Sequence, residues 1–83
     1  MTTAGDPAGP AAGRVGRLVE RAMTLAVDEY DDDRAVARLA GLAHGDHAAL
    51  DQACDACLAH TDVDLAIRGR AIGLLARVRY DNP

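Results

Sequence analysis

Five side chains that could bind a metal or act as a nucleophile lie close together in the chain: His44, His47, Cys54, Cys57 and His60. Zinc accepts thiolate and imidazole together, and two cysteines three residues apart on a helix share a face. The same pair would carry redox chemistry if a neighbour lowered a thiol pKa. A plainer reading stands beside these. Leu50, Ala53, Cys54, Cys57 and Leu58 recur at i, i+3, i+4, i+7 and i+8, the apolar stripe of a helix. Free cysteine in such a stripe behaves as a small buried hydrophobe. His44 lies across Gly45 from the others, and His47 would have to turn inward to join them. The expectation is structural cysteines and no cofactor. A thiol or metal site of Cys54, Cys57, His60 and His47 is the alternative.

The remaining chemistry is thinner. The run Asp28-Glu29-Tyr30-Asp31-Asp32-Asp33 offers oxygen ligands of the kind calcium or magnesium takes. It lacks the EF-hand spacing and glycine, so it reads as a helix cap within a solvated charge cluster. The sequence contains no serine, which removes serine nucleophiles, and no glycine-rich phosphate loop. Arg68, Arg70, Arg77 and Arg79 could meet phosphate. A recognition helix, however, presents polar base readers, and the apolar residues between these arginines leave little room for them. Their expected use is pairing with the acidic middle of the chain, and a DNA-associated regulator is kept as a further alternative.

Two short stretches resemble known families. Cys54-Asp55-Ala56-Cys57-Leu58-Ala59-His60 resembles the CxxCxxxH motif of the carboxymuconolactone decarboxylase family, which implies a peroxidatic thiol on a helical scaffold. The resemblance covers seven residues. The histidine is one position closer than in the motif, and Leu42 stands where the family's relay glutamate would be. About residues 32–62 resemble one tetratricopeptide-like helical hairpin, with Leu50, Cys54 and Cys57 where the second helix packs. Asp62 replaces the terminal proline, and a solenoid needs about three repeats. Only the hairpin geometry is carried over from it.

Four helices must position these residues. The first spans about Gly13 to Asp28, with Val15, Leu18, Val19, Ala22, Leu25 and Ala26 on one face, Met23 and Val27 widening it, and Arg14, Arg17, Arg21, Thr24 and Asp28 opposite. The second begins near Asp32, buries Val36, Leu39, Ala40 and Ala43, and closes at His44-Gly45, where glycine suits the left-handed turn. Asp46 caps the third, which ends at His60-Thr61-Asp62, with Thr61 or Asp62 capping the next. The fourth, about Val63 to Arg79, has two apolar stripes. Ile67, Ala71, Leu74, Leu75 and Val78 form one; Leu65, Gly69, Ile72, Gly73 and Ala76 form the other, on the opposite side. Arg68 with Arg79, and Arg70 with Arg77, line the seams between them.

The fold expected is all-α: a small four-helix bundle of antiparallel hairpins over residues 13–83, behind a disordered tail at 1–12. The chain has 83 residues, no tryptophan or phenylalanine and a net charge of −4, so general attraction to nucleic acid or anionic membranes is not expected. Residues 28–64 hold ten acids against Arg34 and Arg38, while 65–83 hold four arginines against Asp81. No apolar run reaches the roughly 20 residues of a membrane helix. With two cysteines and no leader, a reduced, cytoplasmic location is expected. A helix apolar on two sides needs two neighbours. The functional expectation is therefore a small non-enzymatic interaction module that self-associates, as a homodimer, or docks on a protein partner. Its contacts would be Leu65, Gly69, Ile72, Gly73 and Ala76 with Arg68 and Arg79, and no small-molecule substrate is inferred.

Overall fold

Aspartates set the start of three of the four helices in the computed structural model, which describes residues 9–81. The elements are α1 (Gly9–Asp28), α2 (Asp32–Ala43), α3 (His47–Ala59) and α4 (Leu65–Asp81). Asp31 accepts a hydrogen bond from the Arg34 amide at 3.2 Å, and Asp46 accepts one from the Ala49 amide at 3.0 Å. Each thereby satisfies a donor that the first helical turn leaves free. The cap of α4 is Asp64, which accepts from the Ala66 amide at 2.8 Å, and not Thr61 or Asp62 as the sequence suggested. The expected tail at 1–12 falls largely outside the described residues, and α1 begins at Gly9, four residues before the expected boundary. Pro10 thus stands in the first turn, where its missing N–H would have had no helical partner.

The turn from α2 to α3 departs from expectation in one respect. Gly45 has φ 72°, as a closing glycine should, but His44 is also left-handed, with φ 52°. Its amide still reaches the Ala40 carbonyl at 3.2 Å, and the Asp46 amide reaches Ala43 at 2.9 Å. Together these occupy the carbonyls that the end of α2 would otherwise leave open.

The four helices form a bundle with no strand among the described residues. Helix α4 packs against all three others, and so does α1, whereas α2 and α3 barely touch. The α2–α3 hairpin suggested by the tetratricopeptide-like stretch is therefore corrected: α2 and α3 flank a central α1–α4 pair on different sides. The reason lies in the apolar stripes. Ala35, Val36, Leu39 and Ala43 of α2 and Ala49, Leu50, Ala53 and Cys57 of α3 all turn toward that pair. Leu18, Leu39, Leu50, Leu75 and Val78 are the largest fully enclosed aliphatics. Alanines fill the spaces between them: Ala22, Ala35, Ala43, Ala49, Ala53 and Ala71 are all buried. With so little side chain at these contacts the backbones close on each other, which is how a core without phenylalanine or tryptophan is filled. No polar or charged residue is buried among those described.

Candidate interaction face

Helix α4 owes its position to what lies along its two edges. On one edge, Arg70 Nη1 donates to the Leu25 and Ala26 carbonyls at 3.1 and 3.0 Å, and Arg70 Nη2 donates to Asp32 at 2.6 Å. A cation thus sits at the negative end of the α1 dipole and against an acid in the first turn of α2. Arg77 pairs with Asp33 and, one turn along its own helix, with Asp81 at 3.5 Å. The hydrogen bond from Arg77 to Asp33 leads in raising the Arg77 pKa above its ordinary value. On the other edge, Arg79 pairs with Asp51 at 3.4 Å, and Arg68 donates to the Val63 and Leu58 carbonyls at 3.0 and 3.2 Å. Contacts at Asp51–Arg79 and Leu58–Arg68 run in opposite senses along the two chains, so α3 and α4 are antiparallel. The two arginine seams read in the sequence are thus the two lines along which α4 is fastened.

Between the seams, the two faces of α4 have different fates. Ala71, Leu74, Leu75 and Val78 are buried, with Ile67 half-buried. On the other face Leu65 is 73% exposed, and Gly69, Gly73 and Ala76 are exposed as well. Ile72 is half-buried and leans on the core, with the Cys54 thiol aimed at its carbonyl at 3.9 Å. A Cβ added at Gly69 or Gly73 would meet nothing within 4 Å. The sequence reading missed Tyr80. At 100° per residue it falls between Gly69 and Gly73 on the same face, and it is 85% exposed. The signal was its spacing of four from Ala76. Leu58, at the end of α3 that Arg68 ties down, is a further exposed aliphatic beside this face.

The cysteine and histidine residues are differently placed. Cys57 is fully enclosed and belongs to the core; Cys54 is half-buried at its edge. Burial raises both thiol pKa values, and at Cys54 the neighbouring Cys57, Asp51 and Asp55 add to the effect. Neither thiol therefore has the electropositive surroundings that make a cysteine reactive. His60 is exposed with its Nδ1 3.7 Å from Asp62, and His44 is exposed at the α2 cap. Among the described residues no three of His, Cys, Asp or Glu are gathered closely enough to hold a metal ion.

Two further surface features escaped the sequence reading. An apolar cleft of about 550 Å³ runs between α1 and the end of α3, lined by Val15, Val19, Met23, Ala56 and Val63 among others. On the α1–α2 side lie two adjoining hollows of about 370 and 420 Å³ that share Arg21 and Leu42. The chain matches no family model, no curated protein and no solved structure. None of the described helices is long and apolar enough to cross a membrane.

Proposed function

We propose that the protein is a small non-enzymatic interaction module, an adaptor or regulatory subunit that pairs with a second copy of itself through the outer face of α4. The observation that carries this reading is the open apolar face from Leu65 to Tyr80, about 22 Å long at 1.5 Å per residue. The six residues on it map onto one another when the helix is reversed: Leu65 with Tyr80, Gly69 with Ala76, Ile72 with Gly73. An antiparallel, two-fold pair of α4 helices would set Leu65 and Tyr80 at its ends, Gly69 and Ala76 inside them, and Ile72 beside Gly73 at its middle. Small residues at a helix crossing permit an interaxial distance near 8 Å. Three of the four flanking cations are offset within the subunit, where Arg70, Arg77 and Arg79 pair with Asp32, Asp33 and Asp51.

Sedimentation equilibrium tests the reading. The wild-type chain is expected to approach twice its 8.7 kDa mass with rising concentration. Leu65→Glu with Gly73→Glu is expected to hold it at the single-chain mass, with an unchanged helical circular-dichroism signal, since both positions are exposed. Ile72 is the poorer site for this test because it also packs on the core. A wild-type mass that stays at one chain at every concentration overturns the proposal.

A further inference from the structure

The nine arginines divide into two populations. Arg14, Arg68, Arg70, Arg77 and Arg79 each pair with a carboxylate or donate to a carbonyl. Among the described residues the side chains of Arg17, Arg21, Arg34 and Arg38 do neither. The second population lies together. Arg17 and Arg21 stand one turn apart on α1, Arg34 and Arg38 one turn apart on α2, and Arg17, Arg21 and Arg38 line the two adjoining hollows between those helices. We propose that this α1–α2 groove is a docking site for an acidic helical segment of a partner protein, with Arg17, Arg21 and Arg38 holding carboxylates spaced one helical turn apart along it.

Charge complementarity is the first ground. Like charges one turn apart on a helix oppose folding by about 0.2–0.5 kcal/mol per pair, and the groove brings two helices' worth of them to one place. The cost persists in the isolated subunit and is relieved by an incoming anion. The shape of the groove decides which anion. A single exposed guanidinium–carboxylate pair is worth about 0–1 kcal/mol, so a small free anion gains little here. Several carboxylates on one chain add their pairs, and arginine donates to a carboxylate in a two-pronged geometry. The rise along Arg17 to Arg21 is about 6 Å, which equals the rise between acids four apart on a partner helix. Half-buried Leu42 and the open space over Gly41 give that helix an apolar surface to cover between its acids. Glu20 lines one of the hollows and repels an acid placed beside it, which fixes where along the groove the segment sits. Nucleic acid fits less well. No aromatic side chain lines the groove to stack a base, and the chain carries a net charge of −4. The site is lined by α1 and α2 residues alone and does not rest on the self-association reading.

The test is fluorescence anisotropy with a labelled alanine-based peptide carrying Glu at every fourth position, against the same peptide carrying Gln. The full chain is expected to bind the Glu peptide and not the Gln peptide, and to lose affinity as salt shortens the screening length below about 8 Å. Arg21→Glu with Arg38→Glu is expected to weaken binding at least about tenfold, or ~1.4 kcal/mol. Arg17→Gln, Arg21→Gln and Arg38→Gln together provide a second variant that introduces no new charge. Leu65→Glu with Gly73→Glu is expected to bind as wild type, so a failure here is separable from a failure at α4. Equal affinity for the Gln peptide, or undiminished binding by both arginine variants, overturns the proposal. So does displacement of the peptide by inorganic phosphate at matched concentration, or tighter binding of a single-stranded oligonucleotide.

Discussion

The arginines of α4 and those of the α1–α2 face have the same chemistry and opposite circumstances. Each α4 arginine stands where the fold leaves something for a cation to answer. For Arg70 these are the last carbonyls of α1; for Arg77 and Arg79 they are Asp33 and Asp51; for Arg68 they are the carbonyls around the α3–α4 turn. Arg17, Arg21 and Arg38 lie along the sides of helices, away from helix ends, and Arg34 stands in the first turn of α2; none of the four side chains has a described carboxylate paired to it. A surface arginine thus stabilises the fold where packing brings a neighbouring helix's open carbonyl or acid within its reach, and is left available where it does not.

Removing one arginine from each population tests this most directly. Arg70→Ala takes a side-chain donor from the Ala26 and Leu25 carbonyls, of which Leu25 keeps the Glu29 amide, and leaves Asp32 without its partner. It is expected to cost about 2 kcal/mol, the scale of hydrogen bonds to a charged group. Arg38→Ala, which breaks nothing, should stay within about 0.5 kcal/mol of wild type. Urea midpoints measure both, and equal costs would erase the distinction between the two populations.

Next in size is the effect of the glycines on the fastened helix. With α4 held at both seams and nothing within 4 Å of a Cβ at Gly73, Gly73→Ala should stabilise the single subunit by about 1 kcal/mol. The measurement belongs at concentrations too low for self-association. A loss of stability there would mean that the outer face is already covered within one chain. Smaller still is the effect of changing Arg17, Arg21 and Arg38 together to Gln. Stability should move by no more than about 0.5 kcal/mol, and upward at low salt, because like charges are removed. Thermal melts at two ionic strengths check this. A marked loss would show that these three side chains are structural after all.

Much of the fold was legible because local signals govern it. Asp31 and Asp46 cap as their type and position suggest, and Gly45 takes the left-handed turn. The four apolar stripes also fall near their expected positions. Periodicity was less informative at stripe edges: Val27, expected to widen the α1 face, is 59% exposed, and Leu58 is similarly open. Which helices would be neighbours was legible only in part: the consecutive helices α3 and α4 pack antiparallel, whereas α2 and α3 do not pair. A stripe says that a helix has a buried side but not what buries it, so a plausible α2–α3 hairpin gave way to a central α1–α4 pair. The inner and outer stripes of α4 could be separated by period, whereas Tyr80 was passed over because it lies one residue beyond the expected helix end. The groove arginines were invisible for a different reason. Arg17 and Arg38 are far apart in sequence, and only the packing of α1 on α2 brings them to one hollow.

Arg14 sharpens the contrast because it belongs to the basic side of α1 and yet is fastened, at 3.0 Å from Asp46. Asp46 caps α3 at the same time. The Ala49 amide, followed by Arg14, holds its carboxyl below the ordinary 3.8. A carboxyl whose pKa is lower in the folded chain than in the unfolded one stabilises the fold above that ordinary value. The contribution fades as pH falls through the lower, folded value. Arg14→Gln should therefore be less stable than wild type near neutral pH, by a margin that narrows as Asp46 takes up its proton. Asp46→Asn keeps a capping side chain but loses the charge, so it should show the same narrowing against wild type. Combined with Arg14→Gln it should cost less than it does alone, what remains being the charged cap on the Ala49 amide. Urea midpoints at stepped pH read all three. A margin that is flat with pH would mean that Arg14 gains nothing from Asp46, leaving it as free as Arg17 one turn along.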